Sequence, residues 1–79
     1  MLGPKERELL KFLSEGPKLM QEIYEYFEAD TEGKKANVRK LVSKLRNKGL
    51  IGKLPKAPYY VLTPKGKKIL ECIRLLEEE

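Results

Sequence analysis

The longest uninterrupted apolar stretch of this chain is only four residues, Tyr59-Tyr60-Val61-Leu62, and it runs between Pro58 and Thr63-Pro64. That single feature bounds the fold from two sides. It is too short for a membrane span or for the apolar core of a signal peptide. It is also the strongest β signal in the sequence, being aromatic and β-branched. The preceding Pro55-Lys56-Ala57-Pro58 reads as a turn, because two prolines forbid both helix and a paired central strand. Ile51-Gly52-Lys53-Leu54 then reads as the partner strand. One hairpin over 51–62 is the β structure expected, and the other segments carry helical periodicity.

Four such segments are expected. The first helix starts at Pro4, with Leu9, Leu10, Phe12 and Leu13 on one face, and ends at Gly16-Pro17. The second runs from about Leu19 to Phe27, with Met20, Ile23, Tyr24 and Phe27 as an amphipathic stripe and Glu22, Glu25 and Glu28 on its acidic side. Asp30 or Thr31 caps a third helix over about 33–48, whose stripe is Val38, Leu41, Val42 and Leu45, and Gly49 closes it. Thr63-Pro64 opens a last helix over 64–78. The fold class expected is mainly α with a small β-hairpin, in a single domain over residues 1–79.

Composition removes several chemistries. Histidine is absent and Cys72 is the one cysteine, so an internal disulfide, a zinc site and a Ser/His or Cys/His catalytic pair all lack their residues. No enzyme activity, metal or cofactor is expected, and a mature, intracellular, cytoplasmic protein without membrane contact is the default. Charged residues make up 37% of the chain, a Lys- and Glu-rich balance of the kind seen on thermophile surfaces. That abundance does not explain the distribution. Residues 1–32 balance to −4 and residues 69–79 to −3, whereas residues 33–68 hold twelve basic groups and no acid. A single-sign block of that length inside a folded domain points to a polyanion partner.

The third helix carries the centre of that block. Opposite its apolar stripe lie Gly33, Ala36, Lys40, Ser43 and Asn47, flanked by Asn37, Arg39 and Lys44. Gly33 and Ala36 allow close approach of the backbone. Arg39, Lys40 and Lys44 suit guanine or phosphate, Asn37 and Asn47 suit adenine, and Ser43 suits a phosphate or either kind of base edge. No acid follows these lysines at i+4, so they repel one another in the isolated helix.

The segment Val38-Arg39-Lys40-Leu41-Val42-Ser43-Lys44-Leu45-Arg46-Asn47-Lys48-Gly49-Leu50-Ile51 resembles the recognition helix and its L-x-x-x-G-L-I exit in winged helix-turn-helix regulators. Tyr60-Val61-Leu62-Thr63-Pro64-Lys65-Gly66 is similar to the Y-x-L-T-x-x-G segment that closes the wing and opens the final helix in those proteins. With Gly16-Pro17 ahead of the second helix, the resemblance covers nearly the whole chain. It is shared by MarR-, PadR- and ArsR-type proteins and by many small archaeal regulators. It implies a three-helix core, a two-stranded wing and a C-terminal helix. The function implied is that of a transcription regulator, repressor or activator, binding double-stranded DNA as a homodimer, with the third helix in the major groove. The contact set it implies is Lys35, Asn37, Arg39, Lys40, Ser43 and Lys44, joined by Lys34 and Asn47 of the same helix. Lys53 and Lys56 are the implied wing contacts.

The last helix is lopsided in charge. Lys65, Lys67 and Lys68 stand at its start and three glutamates at its end, an order that opposes the helix macrodipole at both ends. Its apolar side is wide, and Ile69, Leu70, Cys72, Ile73 and Leu76 are expected to pair with a second copy of the chain. Cys72 reads as a buried, inert thiol, with a Cys72-to-Cys72 bridge between copies as the alternative. Two other functions compete with duplex DNA binding: a winged-helix module for protein contact in a transcription or repair assembly, and RNA binding through the basic face. Lysine is depleted in protein interfaces, which favours a nucleic acid.

Overall fold

Pro4 occupies the first position of α1 (Pro4–Leu13), where its missing N–H leaves no bond unmade. The structure, a computed structural model, describes residues 3–77. Beyond α1 the Ser14 hydroxyl donates to the Lys11 carbonyl at 2.6 Å, and Gly16, at φ +139°, reverses the chain in a region that side chains avoid. The chain then enters β1 (Lys18–Leu19), α2 (Met20–Tyr26), α3 (Glu32–Asn47), β2 (Ile51–Lys53), β3 (Tyr59–Leu62) and α4 (Pro64–Glu77). None of these helices is long and apolar enough to cross a membrane.

The two-stranded hairpin expected from sequence is short by one strand. The sheet has three antiparallel strands in the order β1-β3-β2. β2 pairs with β3 through Ile51 and Leu62, Gly52 and Val61, and Lys53 and Tyr60. On the other edge of β3, Lys18 pairs with Tyr60 and Leu19 with Tyr59. Two residues show no alternation, so β1 is defined by its distant partner and not by its own pattern. Leu19 is therefore strand and helix cap together. Its N–H donates to Glu22 Oε1 at 3.2 Å, and α2 begins one residue later than expected.

Both middle helices end in the same way. After α3, Gly49 sits at φ +77°, with the Leu50 N–H bonded to the Leu45 carbonyl and the Gly49 N–H to that of Arg46. After α2, Glu28 takes the left-handed position at φ 54°, with equivalent bonds from Ala29 to Tyr24 and from Glu28 to Glu25.

The core gathers Leu9, Leu10 and Leu13 of α1, Ile23 of α2, Val38, Val42 and Leu45 of α3, Ile51, Tyr60 and Leu62 of the sheet, and Leu70 of α4. The two sequence segments that carried the winged-helix resemblance meet there. Thr63 Oγ1 donates to the Gly49 carbonyl at 2.6 Å and accepts from the Gly66 N–H at 3.0 Å, and the Thr63 N–H reaches the Leu50 carbonyl at 3.1 Å. Gly66 is pressed so close to that backbone that a Cβ would stand 2.0 Å from the Leu50 oxygen. The start of α4 is thus clasped to the exit of α3, and only glycine fits the contact.

α4 corrects two expectations. Leu70 is buried within the protomer, and Ile69 and Ile73 are half-buried against the same core, because α4 packs on α1. Leu70 is not available to a second chain. Cys72, expected to be buried, is exposed, since it lies on the far side of α4 from Leu70. The exposed apolar residues of α4 are Leu75 and Leu76.

Candidate nucleic-acid interface

α3 is fixed at its start by Thr31, whose side chain accepts from the Lys34 N–H at 3.2 Å, and Glu32 lies in its first turn where the helix dipole favours an anion. Burying Val38, Val42 and Leu45 against the core turns the opposite face to solvent. Gly33, Asn37, Arg39, Lys40, Ser43, Lys44 and Asn47 are exposed there, Lys34 is exposed in the first turn on the side of Val38, and Lys35 and Ala36 are half-buried. Added atoms at Gly33 would meet nothing within 4 Å, so the backbone at the start of this face is open.

The repulsion expected along this face is answered by acids outside the basic block. Lys34 pairs with Asp30 at 3.2 Å, and Arg39 pairs with Glu32 at 2.8 Å while donating to the Tyr24 hydroxyl at 3.2 Å. The ammonium of Lys35 lies 5.5 Å from the centre of the Tyr24 ring, so Tyr24 of α2 touches two cations of α3. Glu6 of α1 is the deepest of these partners. It is the one buried charged residue among the described residues, and its two oxygens take Lys44 at 3.0 Å and Lys48 at 3.2 Å. Burial pushes the Glu6 pKa up, but hydrogen bonds and charge from Lys44 and Lys48 pull it down further, so its carboxyl ionises below the usual glutamate value. The Lys34 hydrogen bond lowers Asp30, and the Arg39 hydrogen bond lowers Glu32.

These pairings sort the expected contact residues. Lys34, Arg39 and Lys44 are engaged with carboxylates of the protomer. Among the described residues, Lys35, Lys40, Lys53 and Lys56 take part in no ion pair, and Asn37, Ser43 and Asn47 are exposed beside them. Lys56 stands in the turn between β2 and β3, and Lys53 at the end of β2.

Arg46 was missed from sequence. It is a member of the basic block but not of the expected contact set, yet it is exposed, with its guanidinium 6.0 Å from the centre of the Tyr60 ring. Lys53 approaches the same ring at 5.8 Å. Tyr60 therefore lies between a cation at the end of α3 and one at the end of β2. The signal was present only in the strand register, which sets Lys53 opposite Tyr60. The chain matches no protein-family model, no curated protein and no solved structure.

Proposed function

We propose that this protein is a winged helix-turn-helix transcription regulator that binds double-stranded DNA as a homodimer. In this reading α3 enters the major groove and the β2–β3 hairpin rests on the phosphate backbone. One observation carries it: the exposed side of α3 presents Asn37, Lys40, Ser43 and Asn47, Lys40 takes part in no ion pair among the described residues, and Arg46 and Lys53 share the Tyr60 ring between α3 and the hairpin that carries Lys56. Lysines and an arginine supply charge for phosphates, while asparagine and serine supply the paired donors and acceptors that base edges need. The contact between the α3 exit and the Thr63–Gly66 clasp supports the same reading, because both segments of the family resemblance are structural partners.

Lys40 is the best placed reader of a base, being exposed mid-helix and outside any ion pair. Arg39 is held by Glu32 and Tyr24 and must release them to reach DNA. The test is selection from a random duplex library, followed by titration of the selected site over a range of salt. A palindrome is expected, with half-site centres roughly 10 base pairs apart. About six phosphate contacts per dimer give a log–log salt slope near −5. Lys53→Ala or Lys56→Ala should weaken all sequences equally, and Lys40→Ala should relax one position by about 1–3 kcal/mol. Absence of both enrichment and salt dependence refutes the proposal.

A further inference from the structure

α3 contains a single acid. Glu32 stands in its first turn with the side chain 80% exposed, just ahead of the stretch from 33 to 68 that has no acid at all. At 100° per residue Glu32, Ala36, Arg39 and Ser43 fall in one row, at spacings of four, three and four, on the side turned away from Val38, Val42 and Leu45. An acid in the first turn complements the helix dipole, and that role needs no partner. Glu32 nevertheless has a brace. The Arg39 guanidinium reaches back along the helix and donates from Nη2 to Glu32 Oε1 at 2.8 Å, and from Nη1 to the Tyr24 hydroxyl of α2 at 3.2 Å. Arg39 is thereby fixed at two points, one of them on another helix. Only one oxygen of Glu32 is used: among the described residues no donor hydrogen-bonds Oε2. The Arg39 hydrogen bond holds the carboxyl below the usual glutamate range, so it is ionised and can only accept.

We propose that Glu32 reads a base: its open oxygen accepts from the exocyclic amino group of a cytosine in the major groove, with Arg39 and Tyr24 as positioning residues that hold the carboxylate in place. This rests on the reading of α3 as the helix that enters the groove, and it names a reader outside the contact set of cations, asparagines and serine. Residues at the start of a recognition helix are those that contact base edges. Phosphates repel a carboxylate, and the amino donors of the major groove belong to cytosine and adenine alone. Adenine sets the acceptor N7 beside its amino group and so suits an amide, which both donates and accepts. Cytosine offers a donor without that neighbour, and an ionised carboxylate with one open oxygen matches it. The brace supplies what a lone exposed glutamate lacks, because its rotamer is set before DNA arrives and less freedom is lost on contact. Arg39 keeps both of its bonds in this arrangement and touches no base. On any other sequence the same charge meets acceptors and phosphates, so Glu32 costs affinity wherever its partner is missing, a form of selectivity that lysines do not provide.

The experiment uses the full chain and the duplex selected from a random library. Binding is profiled over all single-base variants of that duplex, and over random duplex, for wild type, Glu32→Gln, Glu32→Ala, Arg39→Ala, Arg39→Lys and Tyr24→Phe. Wild type is expected to prefer cytosine at one position in each half-site. Glu32→Ala should flatten that position by about fivefold or more, leave the others unchanged, and raise affinity for random duplex by about twofold to fivefold. Glu32→Gln should turn the preference at the same position from cytosine to adenine, because the amide adds a donor to the acceptor. Arg39→Ala and Tyr24→Phe should weaken the cytosine preference there, and Arg39→Lys, which keeps a donor, should restore part of it. Glu32 is exposed, so circular dichroism should show its variants with the helical content of wild type. Equal loss at every position in the Glu32 variants makes the residue a helix-start charge only and overturns the proposal. A change at a different position in Arg39→Ala, with Glu32→Ala silent, makes Arg39 the reader and overturns it too. A wild type that selects no sequence removes the reading of α3 itself, whereas a selective wild type whose profile Glu32→Ala leaves intact removes only Glu32 as a reader.

Discussion

α3 and α4 both start behind a threonine cap and both bury an apolar stripe, yet they leave different material at the surface. α3 commits Val38, Val42 and Leu45 to the core and exposes a polar, cationic face. Its charges are partly answered from within the protomer by Asp30, Glu32 and Glu6. α4 commits Leu70 and Gly66 and leaves Leu75 and Leu76 in water, with Lys65, Lys67 and Lys68 in no ion pair among the described residues. A surplus of cations with hydrogen-bonding side chains is complementary to a polyanion. The two helices thus leave two chemically different surfaces.

The comparison breaks first where the helices are joined. Gly66 of α4 touches the backbone at Leu50, just past α3, with no room for a Cβ. Gly66→Ala must push the two elements apart and is expected to cost about 3 kcal/mol or more, as overpacking against an immobile backbone does. Urea denaturation measures it. A loss under about 1 kcal/mol would mean that α4 slides without resistance and that the clasp does not set its position.

The two apolar stripes differ next. Leu45 is fully buried, so Leu45→Ala should cost about 3 kcal/mol by transfer and cavity formation. Leu76→Ala, at an exposed site, should change the stability of dilute protein by less than about 0.5 kcal/mol. Under the homodimer proposed above, its effect should appear only as concentration rises. Equal losses at both positions in dilute protein would erase the distinction drawn between the helices.

Most of this architecture was legible in the sequence because it is locally encoded. The stripes of α3 and α4, the Gly49 cap and the Thr63-Pro64 start each lie within one or two turns. What escaped notice depends on distant partners. β1 exists through Tyr59 and Tyr60, far along the chain. Leu70 is spent on the core because α4 packs on α1, which no wheel of α4 alone reveals. At the candidate interface, the exposed face was readable at 100° per residue, but the acids answering Lys44 and Lys48 were not. Glu6 lies on α1, and only packing brings it to α3.

The caps provide a third contrast. The Thr31 hydroxyl makes one bond, at the exposed start of α3, whereas that of Thr63 makes two and ties α4 to Gly49. Thr63→Ala is expected to cost about 2 kcal/mol and Thr31→Ala about 0.5–1 kcal/mol. Thermal denaturation of the two variants side by side checks the order, and a reversed order would show that the Thr63 clasp contributes no more than an ordinary helix cap.

The smallest effect concerns the ion pairs that hold α3 to α1. Glu6→Gln keeps the shape of the side chain and one acceptor oxygen but removes the charge facing Lys44 and Lys48. Both lysines reach water, at 59% and 39% side-chain exposure, so solvent screens the pairs and the expected loss is only about 1 kcal/mol. The pH dependence identifies its source. Glu6 ionises below its ordinary value in the folded chain, so the folded state holds its proton less tightly than the unfolded one. Its contribution is therefore complete above the unfolded glutamate pKa of about 4.3 and disappears as pH falls through the lower folded value. The difference in stability between wild type and Glu6→Gln should be constant at neutral pH and shrink below about pH 4.5. Asp30 and Glu32 are lowered as well, but their side chains are largely exposed, so salt should erase their share while much of the Glu6 share persists. Denaturation of both proteins across pH, at low and high salt, separates the two. A wild-type advantage that vanishes in salt at neutral pH would place Glu6 with the surface pairs and remove it as the link between α1 and α3.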